Sequence, residues 1–203
     1  MKISRSFLRE FVNQYISLKG EEFQQFADIF TEINCKKGSI LTESIDIDDK
    51  IILITKGIVR EYSIINNEDH TIWINGVGEI VMDLSTLAVD SPNNIMAEAL
   101  TNVHLLVAEK SAFEELMINM PKISILMNMV YQHTLSSFQK HMLLLKISPT
   151  IKREEMLFKL KPFLFRKEVK VKHLASLLNV HPNSLSRIHN QKVVPSLEEN
   201  TTF

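Results

Sequence analysis

The stretch from Pro121 to Ser148 contains no glycine and no interior proline, and its apolar residues recur at helical spacing. Ile123, Leu126, Met127, Val130, Tyr131, Thr134, Phe138, His141, Met142 and Leu145 form one wide stripe. At 1.5 Å per residue, about 27 residues make a helix roughly 40 Å long. That exceeds the width of a domain of this size, so the helix needs a second surface. A copy of itself is the simplest one, with Ile123, Leu126, Met127, Val130, Thr134, Phe138, His141 and Leu145 as the dimer positions. Pro149 stops the helix, because proline disfavours helical geometry in the residue before it.

The chain before this helix has a different texture. Phe7, Leu8, Phe11, Val12 and Tyr15, then Phe23, Phe26, Ala27 and Phe30, keep helical spacing and predict two short helices. From Cys35 to about Val107 the apolar runs shorten. SILTE, KIILIT, IVREYSII, HTIWIN, NIMAEAL and HLLVA read as strands. Lys-Gly at 37–38 and 56–57, and the Asn-Asn-Glu-Asp at 66–69, supply their turns. Closely spaced strands without intervening helices predict an antiparallel, jelly-roll-like β-roll. SAFEELMIN then predicts a short helix capped by Ser111 and Glu114 as a capping box. The fold class is therefore α+β. The expected domains are a roll with N-terminal helices at 1–120, the long helix at 121–148, and a C-terminal domain at 149–203.

Charge divides the chain at the same place. From Pro149 onward there are ten Lys and Arg against five Asp and Glu, while the first 148 residues hold 13 basic and 19 acidic ones. A basic segment favours a polyanionic partner. Within it lies HLASLLNVHPNSLSRIHNQ, from His173 to Gln191. Leu174, Ala175, Leu178, Val180, Leu185 and Ile188 are its apolar positions. Ala175 is small enough for a close helix crossing, Asn179 tolerates the positive φ of a tight turn, and Pro182 suits a first helical turn. The second helix then exposes His181, Asn183, Ser184, Ser186 and Arg187. Arginine can bond a guanine edge bidentately and asparagine an adenine edge. This is helix-turn-helix spacing. With Lys172 on the preceding helix, these residues are the candidate contacts to double-stranded DNA.

Other chemistry finds little material. No Gly-rich phosphate loop, nucleophile–base set or metal motif is present, so an enzyme is not expected and no catalytic or metal-binding residue is assigned. One cysteine, Cys35, excludes an internal disulfide or a thiolate cluster. No cofactor is evident. No apolar window is long enough to span a membrane, and charges interrupt MKISRSFLREFVNQ before a signal sequence could form. A cytoplasmic location is the expectation.

The order of parts, with the segments LLNVHPNSLSRI and ILITKGIVREYSI, resembles the Crp/Fnr family of bacterial transcription regulators. That resemblance implies a cyclic-nucleotide-binding-like β-roll, a dimerisation helix and a winged helix-turn-helix. It also implies a homodimer on a two-fold operator, with RNA polymerase as a further partner. It places an effector pocket at Asp83, Leu84, Ser85, Asn93 and Asn94. The cyclic-AMP cassette of the family is degenerate here: Met82-Asp83-Leu84 stands for Gly-Glu-Leu, and Asn93-Asn94-Ile95 for the segment that carries the phosphate-binding arginine. A buried phosphate without its cation is costly, which argues against cyclic AMP and leaves an unknown small-molecule effector open. The recognition helix opens with Pro182-Asn183 where well-known members have Arg-Glu. Little chain remains for a wing beyond Lys192-Val193-Val194. The alternative reading is a ligand-sensing roll whose DNA-binding role has weakened or been lost.

Overall fold

The computed structural model describes residues 2–45, 49–81 and 95–191. The chain divides into two compact units, residues 1–142 and 143–203.

The first unit opens with α1 (Lys2–Asn13) and α2 (Gly20–Asp28), then strand β1 (Phe30–Cys35). A short helix α3 (Leu41–Ser44) precedes β2 (Lys50–Lys56), β3 (Val59–Ile65), β4 (Glu68–Asn75) and β5 (Ile80–Val81). Strands β6 (Met96–Ala99) and β7 (Val103–Glu109) follow, then helices α4 (Lys110–Asn119) and α5 (Pro121–Leu145), whose last three residues fall in the second unit. The strands form two antiparallel sheets, one ordered β1-β7-β2-β5 and the other β4-β3-β6.

Strand β2 reads as a continuous apolar run because both of its faces are buried. Leu53, with Leu106 and Ala108 of β7, packs on the helices, against Leu8, Phe11, Phe26, Phe113 and Leu126. The alternate residues Ile52, Ile54, Leu105 and Val107 turn inward toward Val59, Ala97 and Ala99 of the second sheet. The turns match the residues expected of them: Gly38, Gly57, Asn66 and Asn67 all have positive φ.

Three local expectations fail. SILTE is not a strand: Ile40 makes one isolated bridge to Glu98, then the chain coils into α3 to bury Leu41 completely. Phe30 does not extend α2. It starts β1, pairing with Ala108, and stacks edge-on to Phe26 with ring centroids 5.3 Å apart. Helix α4 begins at Lys110 with Glu109 as its N-cap and no side-chain cap bond, so the Ser111–Glu114 capping box does not form.

The dimer stripe also needs correction. Ile123, Leu126, Met127 and Val130 are at most 4% exposed and belong to the chain's own core, under α1, α2 and the first sheet. Phe138 and His141 lie on the Trp73 ring of β4, at centroid distances of 4.3 and 5.3 Å. Thr134 and Leu145 are half-buried. Half of this stripe is therefore spent within one chain and is closed to a second copy. Lys122 in the first turn of α5 bonds Glu22 of α2 at 2.6 Å, fixing the start of the helix on the roll.

The second unit contains α6 (Thr150–Leu160), a 3₁₀ turn (Pro162–Phe165), α7 (Val171–Leu177) and α8 (Pro182–Gln191). Leu157, Leu164, Val169, Leu174, Leu177, Leu178 and Leu185 are buried. Of the apolar residues of α6, Leu157 is buried, while Met156, Phe158 and Leu160 are about two-fifths exposed.

Candidate nucleic-acid interface

Helices α7 and α8 pack on one another, and Ala175 of α7 is fully buried. The turn between them is built from backbone bonds. The N–H of Leu178 donates to Leu174, that of Asn179 to Ser176 and that of Val180 to Ala175, at 2.9 to 3.0 Å. Asn179 has φ +52°, the left-handed conformation its side-chain type tolerates. The chain then restarts at Pro182, whose missing N–H costs nothing in a first turn.

His181 immediately precedes α8, and its ring Nδ1 accepts the N–H of Asn183 at 3.2 Å. That ring nitrogen therefore serves as a helix cap. His181 is exposed, but one of its two polar atoms is already engaged.

Along α8, Leu185 is fully buried and Ile188 half-buried. Asn183 and Arg187 are four residues apart, hence one above the other on a helix, and both are exposed. Ser184 is exposed beside them and Ser186 is half-buried. Lys172 is exposed on α7. The outward side of α8 thus presents one guanidinium, one amide and two small hydroxyls. Those groups and that size suit the floor of a DNA groove.

Sequence reasoning missed Arg153 of α6. It counts among the ten basic residues of the segment, yet its guanidinium is spent inside the unit. Nη1 donates to the carbonyl of Leu178 at 2.7 Å, while Nε and Nη2 donate to that of Ile147 at 3.2 and 3.0 Å. His173 and Glu154, each 4% exposed, are polar residues in what reads as an apolar interior.

The roll carries its own polar features. Arg60 of β3 is 2% exposed and bonds Asp69, Thr71 and Glu98, across all three strands of its sheet. Its guanidinium also lies over the Tyr62 ring, 4.0 Å from the centroid. Burial disfavours its charge, but the hydrogen bonds it donates to Asp69 and Glu98 outweigh that and push its pKa above the ordinary arginine value. Glu61 and Asn75 form a second buried pair. Between β4 and α5 lies a cleft of about 40 Å³, lined among others by Trp73, Asn75, Val130, His133 and Thr134. The expected effector residues Asp83, Leu84, Ser85, Asn93 and Asn94, and the wing residues Lys192, Val193 and Val194, lie outside the described residues. Among the described residues no group of three or more His, Cys, Asp or Glu could hold a metal ion, and no helix is long and apolar enough to cross a membrane.

Two antiparallel sheets closed into a roll, a long helix and a helix-turn-helix define the Crp/Fnr-like cyclic-nucleotide-binding fold, and the chain has that fold. Residues 32–119 match the family model of the cyclic nucleotide-binding domain. FixK2 from Bradyrhizobium japonicum superposes with a TM-score of 0.65 at 16% identity, over 80% of this chain and 84% of that one. A protein described as a transcriptional regulator of the Crp/Fnr family from Eubacterium rectale gives 0.62 at 14% identity, over 84% and 82%. A CooA variant from Carboxydothermus hydrogenoformans gives 0.59 at 18% identity, over 82% and 77%. No curated protein matches the sequence.

Proposed function

We propose that this protein is a dimeric, sequence-specific DNA-binding transcription regulator of the Crp/Fnr type. The observation that carries the reading is the exposed Asn183–Arg187 face of α8, opposite a fully buried Leu185 and following a positive-φ turn at Asn179. A plain helical hairpin has no need of that polar ridge in a segment with a surplus of basic residues. Its base-reading groups are Arg187 and Asn183, with Ser184 and Ser186 beside them and Lys172 on the phosphates.

Dimerisation uses the outward side of α5 rather than the buried stripe. Ile125, Met129, Leu135 and Met142 are 38% to 65% exposed there, and no charged residue occurs between Lys122 and Lys140. An uncharged helix surface with several exposed large apolar groups fits a second copy of the same helix. The effector is not cyclic AMP on this reading. The one buried arginine among the described residues of the roll already answers two carboxylates, and its release for a phosphate would leave Asp69 and Glu98 unbalanced. The test is binding of wild-type and Arg187→Ala protein to a panel of duplex promoter fragments at several salt concentrations. Selective, salt-dependent binding that Arg187→Ala loses supports the reading. Equal binding of both proteins to every fragment refutes it.

A further inference from the structure

We propose that Arg153 is a positioning residue of the DNA reader, setting the angle of α7 and α8 without touching DNA. The inference rests on the helix-turn-helix reading above. Arg153 sits near the start of α6, and its three hydrogen bonds end on two carbonyls far apart in sequence. The first, Ile147, follows the last turn of α5; its own N–H still bonds Leu144. The second, Leu178, is the C-cap of α7, one residue before the Asn179 turn.

Both carbonyls belong to helix ends, where the last C=O groups lack an intrahelical partner. A cation at such an end is favoured by the accumulated backbone dipole. Arg153 lies at two of them at once. Guanidinium suits this role because its donors form a rigid planar fork, so it fixes direction as well as distance. A lysine carries the same charge on a flexible stem and cannot hold both carbonyls in one plane. The consequence follows from chain order. Leu178 leads through Asn179 and Val180 to Pro182, so whatever fixes the Leu178 carbonyl fixes the start of the recognition helix. Base readout tolerates errors of only about 0.5 Å or 10–20° in the reading groups. The end of the long helix and the angle of the reader therefore share one side chain.

The test uses the full-length protein with Arg153→Gln and Arg153→Lys, and a duplex selected by the wild type. Helical content, melting temperature and the dissociation constant across a salt series are measured for each. Both variants are expected to stay folded at low temperature and to bind the selected duplex at least about tenfold more weakly. Their affinity for scrambled duplex stays at the wild-type level. The slope of log affinity against log salt also stays at the wild-type value, since no phosphate contact is removed. A slope reduced by about one makes Arg153 a DNA contact and overturns the proposal. So does a lowered melting temperature with wild-type binding of the folded protein, which marks a merely structural strut. If Arg153→Gln loses its helical signal, Arg153→Lys, which keeps the stem and the charge, decides: wild-type affinity overturns the proposal. Failure of the wild type itself to prefer any duplex refutes the DNA-reader reading instead, and is seen before any variant is made.

Discussion

Asn179 offers a sharp test of how the reader is built. Its φ of +52° lies in the left-handed region, which glycine occupies freely, asparagine readily and β-branched residues hardly at all. Asn179→Gly should therefore change stability by less than about 0.5 kcal/mol. Asn179→Val forces a β-branched side chain into that well at a cost of about 2 kcal/mol. Relaxing the strain would break the Val180 to Ala175 and Asn179 to Ser176 backbone bonds that close the turn. A domain of about 60 residues rarely has more than 3 to 5 kcal/mol to lose. Two kcal/mol is a factor of about 30 in the folded-to-unfolded ratio. The fitting assay is native-state amide exchange at Leu178, Val180 and Leu185, compared with amides of β2 and β7. Asn179→Val should speed exchange about 30-fold in α7 and α8 and leave the roll untouched. If valine is silent, or if glycine costs more than about 1 kcal/mol, the left-handed turn is not what holds the two helices.

Three further outcomes follow from other parts of the molecule. Gly57 has φ +98°, and an added Cβ would lie 2.6 Å from the Asn102 carbonyl, while Gly38 at φ +85° has nothing within 4 Å. In denaturant titrations read by Trp73 fluorescence, Gly57→Ala should cost about 3 kcal/mol or more and Gly38→Ala about 1, so equal costs would discount the overlap. The Glu22 carboxyl is held below its ordinary pKa by the hydrogen bond from Lys122, then by that from the Lys19 backbone. A depressed carboxylate stabilises above its unfolded pKa, so that contribution is present above about pH 4.5 and fades as pH falls further. Glu22→Gln should accordingly weaken the protein at pH 7 and flatten its acid unfolding profile below pH 4.5; an unchanged profile would contradict the pairing. On the outward side of α5, Leu135→Glu with Met142→Glu should convert a dimer to a monomer in sedimentation without loss of helical signal, whereas a persistent dimer would place the interface elsewhere.

Much of this architecture is legible in the residues, for reasons that differ from element to element. Helix α5 shows because 25 residues without glycine or interior proline leave few alternatives. The β3–β4 hairpin shows because Asn66 and Asn67 are residues a positive-φ turn selects. The Asn179 turn shows for the same reason. What stays hidden is what periodicity cannot distinguish. The α5 stripe announces a buried face, but spacing alone does not say whether the covering surface is the same chain or another. Phe30 keeps step with Phe23, Phe26 and Ala27, so the start of β1 looks like one more turn of α2 until pairing with β7 claims it. In SILTE, a short apolar run fits strand and helix alike, and only the need to bury Leu41 decides. Arg153 is invisible among its basic neighbours because a charge count cannot tell a cation that faces solvent from one bonded to two carbonyls.

The most direct measurement of the central claim is selection of duplex DNA from a random pool by the full-length protein. The account predicts a recovered site with two-fold symmetry, half-sites about 10 base pairs apart centre to centre, and a guanine in each half whose preference disappears with Arg187→Ala. Recovery of no enriched sequence, or of an asymmetric one indifferent to Arg187, would contradict it.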